Sequence, residues 1–151
     1  MIFVTGDIHG ITGIHRLNSK NFKKQEELTR NDYIIVLGDF DILSKFNLLE
    51  NYCIDKLRKR NYTILFIDGN HENFKKLNKY NTEEWNGGKV HKIKDNIIHL
   101  TRGQIFNIDG NTFFTMGGGI SHKKRIIKKK SKINPEEIFK KDTVEAHRNL
   151  E

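Results

Sequence analysis

The chain has 151 residues, of which 36% are hydrophobic, and a net charge of +8. This length suits one domain with a buried core. The single cysteine, Cys53, excludes an intramolecular disulfide, and no apolar run approaches the roughly 18 residues that a membrane span requires. We therefore expect one domain over residues 1–151, without a signal peptide, in a reducing, cytoplasmic setting.

The first half of the chain alternates between strand-like and helix-like patterns. Short apolar runs predict buried strands at residues 2–5, 33–37 and 63–67. Apolar residues at helical spacing within residues 43–60 predict an amphipathic crossover helix. Shorter helices are predicted at 14–19 and at 73–79, the second with Phe74 and Leu77 facing inward. This alternation is typical of βαβ units, so these strands are expected to lie parallel.

After Trp85 the pattern changes to short β-like runs at residues 89–93, 97–100, 104–108 and 112–116. Asp109-Gly110 lies between the last two runs and predicts a hairpin turn. Antiparallel strands that follow βα units indicate a mixed second sheet. Farther on, Asn134 as N-cap and Pro135 at the first helical position predict a helix, whose apolar face needs a partner surface.

A polar cluster directly follows each of the first three predicted strands. The clusters are Asp7-Ile8-His9-Gly10, Gly38-Asp39-Phe40-Asp41 and Gly69-Asn70-His71-Glu72. Because the carboxyl ends of parallel strands meet at one edge of a sheet, metal-binding side chains should converge there. The candidates are Asp7, His9, Asp39, Asn70 and His71. Oxygen and imidazole ligands suit Mn, Fe or Zn, which points to metal-assisted phosphoester hydrolysis.

The spacing of these residues suggests how they bind metal. Asp7 and His9 are two apart, so in an extended chain their side chains point to the same side and can hold one ion. Asp39 has two carboxylate oxygens that can bridge two ions roughly 3.5–4 Å apart. Asn70 offers an amide oxygen to the second ion. A bridging water would lose its proton at neutral pH and attack phosphorus.

In the order D-x-H, G-D and G-N-H-E, the three clusters resemble the N-terminal motifs of the calcineurin-like metallophosphoesterases. The resemblance implies an α/β fold of mixed α+β type, with two packed mixed β-sheets flanked by helices. It also implies a phosphoesterase that cleaves a phosphomonoester or phosphodiester through a metal-bound hydroxide, with two divalent ions such as Mn²⁺, Fe²⁺/Fe³⁺ or Zn²⁺. By the same resemblance His71 is not a ligand, and it stabilises the transition state or protonates the leaving oxygen.

Two later histidine motifs of that family, a lone His at a strand end and a G-H-x-H, do not occur in this sequence. The resemblance therefore implies a domain that is incomplete at its C-terminus, with a weakly held second metal. A second polypeptide or a self-association partner could supply the missing ligands. His122, after a glycine-rich turn, could replace one of them or lie at the surface.

Each candidate residue also has a structural interpretation. Asp7 and Asp39 could be helix N-caps or turn formers, Asp41 is expected in a turn or cap, and Glu72 is expected to cap the next helix or to hold a loop. The remaining histidines are assigned structural or surface positions; they are His15, His91, His99 and His147.

The positive charge is concentrated in one segment. Residues 123–132 contain seven basic residues and no acidic one, which nearly accounts for the net charge of +8. Such a run is either a solvated loop or a surface that binds phosphate or nucleic acid. The alternative function is therefore a non-catalytic remnant that binds metal, phosphate or nucleic acid and has lost its C-terminal metal ligands.

Overall fold

The computed structural model describes residues 1–43 and 47–119. In these ranges the strands are β1 (Ile2–Thr5), β2 (Tyr33–Leu37), β3 (Thr63–Ile67), β4 (Thr82–Trp85), β5 (Gly88–Lys94), β6 (Ile97–Leu100), β7 (Ile105–Ile108) and β8 (Asn111–Phe114). The α-helices are α1 (Asn47–Arg58) and α2 (Phe74–Leu77). Short 3-10 helices occur at Gly10–Thr12, Ile14–Leu17 and Lys23–Glu27.

In the described part of the chain, the main sheet has six strands in the order β1-β2-β3-β6-β5-β4. Strands β1, β2, β3 and β6 are mutually parallel, and β5 and β4 continue the sheet in antiparallel fashion. The three predicted parallel strands are confirmed. Strands β5 and β6 were predicted in a second sheet, but they extend this first one. Strand β4 was not predicted. Ile97, Ile98 and Leu100 of β6 are buried, so both faces of this strand are packed against other parts of the protein. A strand buried on both faces fits the interior of the main sheet.

The second sheet consists, within the described residues, of the antiparallel pair β7–β8. The predicted hairpin turn is confirmed, since Asp109 and Gly110 have φ values of 50° and 75°. Phe106 and Ile108 of this hairpin belong to the same buried cluster as Leu65 of the main sheet. The two sheets thus pack face to face, as the fold prediction requires.

The opposite face of the main sheet is covered by helices. Helix α1 buries Cys53, Ile54 and Leu57 against it, which confirms an amphipathic crossover helix, and this helix ends at Arg58 instead of at residue 60. In α2, Leu77 is buried, but Phe74 is 37% exposed and does not face inward as predicted. The main sheet thus lies between two apolar clusters, one on each face.

Several predictions fall outside the described residues. They are the basic segment 123–132, the helix from Asn134, His122 and His147. In the ranges 1–43 and 47–119, no helix is long and apolar enough to cross a membrane.

Candidate metal centre

The loops after β1 and β2 are joined to each other by backbone hydrogen bonds. The amide of Asp7 donates to the Gly38 carbonyl at 3.3 Å, and that of His9 donates to the Asp39 carbonyl at 2.9 Å. A third bond runs from Gly10 N to the Phe40 carbonyl at 2.8 Å. The first two polar clusters therefore form one structural unit at the carboxyl edge of the sheet.

The backbone at this edge is left-handed at several non-glycine residues. Asp7, His9, Asp39 and Asp41 all have φ between 50° and 52°. This conformation is uncommon for residues with a side chain, although Asp, Asn and His adopt it more readily than most. Asp7 and His9 therefore do not share one side by lying in an extended chain, because β1 ends at Thr5 and the chain then turns. The turn still brings the side chains of Asp7 and His9 together.

Asp7, His9 and Asp39 form a compact group of potential metal ligands. One ligand atom from each of them lies within 4.8 Å of the others. His9 Nε2 is 3.7 Å from Asp7 Oδ1 and 3.9 Å from Asp39 Oδ2. The Asp7 side chain is 75% exposed, whereas that of Asp39 is 15% exposed. The group is thus open to solvent on one side and anchored in the protein on the other.

The loop after β3 approaches this group from the far side of Asp39. The amide of His71 donates to Asp39 Oδ1 at 3.1 Å. The His71 ring is 5.2 Å from the His9 ring, at an interplanar angle of 82°. A Cβ at Gly69 would overlap Asp39 Oδ1 and the Asp39 nitrogen, so only glycine fits this approach. Asn70 lies in the same short loop, between Gly69 and His71.

Glu72 fastens the third loop to the second. Its Oε1 accepts a hydrogen bond from the amide of Phe40 at 2.7 Å, and its Oε2 accepts one from Asp41 at 3.1 Å. Burial raises the pKa of Glu72 to about 7, although these two amide donors oppose the shift. Of the two interpretations of Glu72, the loop-holding one is confirmed. Helix α2 has Asn73 at its N-cap, without a side-chain cap hydrogen bond.

A buried ionic network lies directly behind this loop. Asp68, which is 2% exposed, contacts His99 Nε2 at 3.2 Å and Arg102 Nε at 2.6 Å. His91 and His99, which were predicted in structural or surface positions, pack as a stacked pair with Nδ1 atoms 3.0 Å apart. No role was predicted for Asp68 or Arg102. An acidic residue directly after a buried strand needs a charged or hydrogen-bonding partner. The position of Asp68 after β3 was therefore the signal in the sequence that could have indicated this network.

Arg16 supports the first loop and was also missed. Its Nη1 donates to the carbonyl of Asp7 at 3.1 Å and to that of Gly6 at 3.4 Å. The residue lies in the 3-10 helix Ile14–Leu17, one position after His15, which is exposed. Arg16 thereby ties this helix to the backbone that carries Asp7.

The predicted site residues are therefore brought to one edge of the sheet. The three ligand candidates Asp7, His9 and Asp39 cluster, and the loop with Asn70 and His71 lies against Asp39. Two carboxylates and an imidazole are donors that bind a borderline divalent cation such as Mn²⁺, Fe²⁺ or Zn²⁺. Ligand atoms about 2.1 Å from one ion lie about 3–4 Å apart, which fits the His9–carboxylate distances.

Comparison with known proteins identifies the family. The model of the family described as calcineurin-like phosphoesterase matches residues 1–151. No curated protein and no solved structure matches the chain. Because the family match extends over the whole sequence, the chain belongs to the calcineurin-like phosphoesterases, and the family as a group binds divalent metals.

Proposed function

We propose that this member of the calcineurin-like phosphoesterase family hydrolyses a phosphomonoester or a phosphodiester with the aid of divalent metal ions. The observation that carries the proposal is the grouping of Asp7, His9 and Asp39 within 4.8 Å at the carboxyl edge of the sheet. These three residues would hold the first ion. Their two negative charges would balance a divalent cation.

Asp39 would serve both halves of the site. Its Oδ2 faces His9, whereas its Oδ1 accepts the amide hydrogen bond of His71 in the neighbouring loop. Asp39 would therefore contribute to the first ion and also to a second one, for which Asn70 would offer its amide oxygen. The second position has fewer candidate ligands among the described residues, so we expect it to bind metal more weakly.

His71 is the candidate catalytic residue. Its ring lies 5.2 Å from that of His9 and is exposed, so it can reach a phosphate group that enters from solvent. In its protonated form the imidazole would stabilise the developing charge or give a proton to the leaving oxygen. Bound divalent ions would supply Lewis-acid polarisation of the phosphate and a water of lowered pKa.

The proposal also concerns partners and location. A phosphoester is the expected substrate, and a second copy or another chain would complete the ligand set of the second ion. Residues 123–132 are either a solvated loop or a surface that binds nucleic acid, and a steep salt dependence of nucleic-acid binding would favour the second. We propose a cytoplasmic location from the single cysteine of the sequence.

The experiment is hydrolysis of an aryl phosphomonoester and an aryl phosphodiester by the full chain, with and without added Mn²⁺. Asp39→Asn is the test variant. Asp95→Asn is the matched control, because Asp95 is exposed in the turn between β5 and β6. The proposal requires activity that depends on Mn²⁺, disappears in Asp39→Asn and persists in Asp95→Asn.

Thermal unfolding separates the proposed function from its alternative. A native-state ligand raises Tm, so Mn²⁺ should stabilise the wild type and the Asp95→Asn variant but not Asp39→Asn. An Mn²⁺-dependent rise in Tm without any hydrolysis would favour the non-catalytic metal-binding function. Hydrolysis that is equal in wild type and Asp39→Asn would overturn the proposed site.

A further inference from the structure

The loop that carries two of the candidate site residues is held at both of its ends. This loop, residues 69–73, is called the Asn70 loop below. Asp68, the first residue after β3, precedes the loop, and Phe74 follows it as the first residue of α2. Its backbone lacks the regular hydrogen bonding of a strand or a long helix. The positions of Asn70 and His71 therefore depend on contacts made by the flanking residues.

Asp68 is the more deeply buried of the two flanking residues. Its Oδ2 accepts hydrogen bonds from Arg102 Nε at 2.6 Å and is 2.5 Å from Arg102 Nη2. Its Oδ1 lies 3.2 Å from His99 Nε2. Burial alone would raise the pKa of Asp68, but the hydrogen bonds from His99 and Arg102 hold it below its ordinary value. Both oxygens of the Asp68 carboxylate therefore have a charged or polar partner.

The histidine pair extends this network into the sheet. With Asp68 Oδ1 as the acceptor, the proton of His99 lies on Nε2, which leaves His99 Nδ1 as an acceptor. His91 Nδ1 is 3.0 Å away and can donate to it. His91 and His99 face each other on the paired strands β5 and β6, so the network is anchored in regular structure.

Arg102 spans the whole Asn70 loop. Its guanidinium binds Asp68 before the loop, and its Cζ lies 5.5 Å from the centre of the Phe74 ring after the loop. The glycine-rich segment adds a third contact, because Gly118 N donates to the Asp68 carbonyl at 2.9 Å. A Cβ at Gly117 would lie 2.5 Å from that carbonyl oxygen, so the backbones pack tightly here.

We propose that Asp68 is a positioning residue which, bound by Arg102 and His99, sets the place of Asn70 and His71 opposite Asp39. The inference rests on the proposed function, which assigns metal binding to Asn70 and catalysis to His71. None of the metal-binding motifs includes Asp68, Arg102 or His99. Residues that orient ligands from behind commonly change metal affinity or activity by about 10- to 100-fold when they are replaced.

Hydrogen exchange of backbone amides tests the positioning without any need for activity. The variant is Asp68→Asn, which is nearly isosteric but cannot accept from both Arg102 and His99. The control is Asp95→Asn, which changes an exposed carboxylate. In Asp68→Asn we expect exchange in residues 69–72 to be about tenfold faster or more, with the amides of β2 unchanged.

Two results of this experiment would overturn the inference. Equal acceleration in the Asn70 loop and in β2 would show that Asp68 only adds to global stability. Unchanged exchange in the loop would show that Asp68 does not hold it. Should Asp68→Asn not fold, the same comparison is made with Arg102→Lys, which keeps the positive charge but loses the planar fork that reaches Asp68.

Kinetics with an aryl phosphodiester and Mn²⁺ provide the second readout. We expect kcat of Asp68→Asn to fall about 10- to 100-fold while KM stays within error, because the loop acts on the reacting group and not on general substrate affinity. An unchanged kcat would overturn the inference. If the wild type itself is inactive, the proposed activity of this chain by itself fails, while the exchange experiment still decides whether Asp68 positions the loop.

Discussion

Glu72 Oε1 accepts a hydrogen bond from the backbone amide of Phe40 at 2.7 Å, across 32 residues of sequence. The same carboxylate accepts the amide of Asp41 through its other oxygen. One buried side chain thus connects the loop with Asn70 and His71 to the loop with Asp39. The relative position of these two loops decides whether their functional groups can act on one phosphate.

Replacement of Glu72 by alanine should be strongly destabilising. It leaves the amide of Phe40 without its acceptor inside the protein, and an unsatisfied buried donor costs about 1–3 kcal/mol. Urea unfolding of Glu72→Ala and Glu72→Gln measures the loss, which should be smaller for Gln because one acceptor oxygen remains. Glu84→Ala is the control, since Glu84 is exposed on β4. A loss in Glu72→Ala no larger than in this control would contradict the prediction.

Replacement of Gly69 by alanine should disturb Asp39 directly. The added Cβ would overlap Asp39 Oδ1 and its backbone nitrogen, so the carboxylate must move. We expect about 1–3 kcal/mol lower stability and no rise of Tm with Mn²⁺. Gly110→Asn is the control, because no atom lies within 4 Å of a Cβ there and Asn tolerates its φ of 75°. A normal Mn²⁺ response in Gly69→Ala would show that the overlap is relieved without displacement of Asp39.

Arg16→Met should weaken metal binding without a large change in the fold. Methionine keeps most of the aliphatic length but cannot donate to the carbonyls of Gly6 and Asp7, so the loop that carries Asp7 is held less firmly. Calorimetric titration with Mn²⁺ should give a Kd about tenfold higher. Arg58→Met on α1 serves as the control. Among the ion pairs of the described residues, Arg58 pairs with Asp55 alone, and Asp55 is exposed. Equal Kd values for both variants would rule out a role of Arg16 in this loop.

The part of the fold nearest the site could be predicted from sequence for a physical reason. Strands β1, β2 and β3 are continuous apolar runs, and each is followed by polar residues at its carboxyl end. Parallel pairing then places Asp7, His9 and Asp39 at one edge. The approach of the third loop to Asp39 was implied by the same argument, because β3 lies beside β2.

Other features depend on contacts between distant segments, which local patterns do not contain. Strand β6 pairs with β3, where both faces of β6 are buried. This pairing depends on which edge of the sheet is free, and the local sequence of β6 does not contain that information. The pairing of Asp68 with Arg102 joins residues 34 positions apart. Strand β4 is a different case, since Asn86-Gly87 is a hairpin signal and its φ values of 49° and 95° fit such a turn.

His91 should make the protein less stable in mild acid. Burial, with a smaller effect of the neighbouring His99, lowers the pKa of His91 below its ordinary value of 6.5. The unfolded chain therefore takes up this proton at a higher pH than the folded chain does. The contribution of His91 to stability is complete above about pH 6.5 and is lost as the pH falls through the lower, folded-state pKa.

The free energy of unfolding, measured by urea titration in metal-free buffer at about pH 7.5 and about pH 5, tests this dependence. Wild type should lose more stability between these two values than His91→Gln, because glutamine binds no proton in either state. His15→Gln is the matched control, since His15 is exposed and should leave the wild-type dependence intact. If His91→Gln and wild type lose equal stability on acidification, protonation of His91 does not control the acid response, and the groups that do must lie elsewhere in the protein.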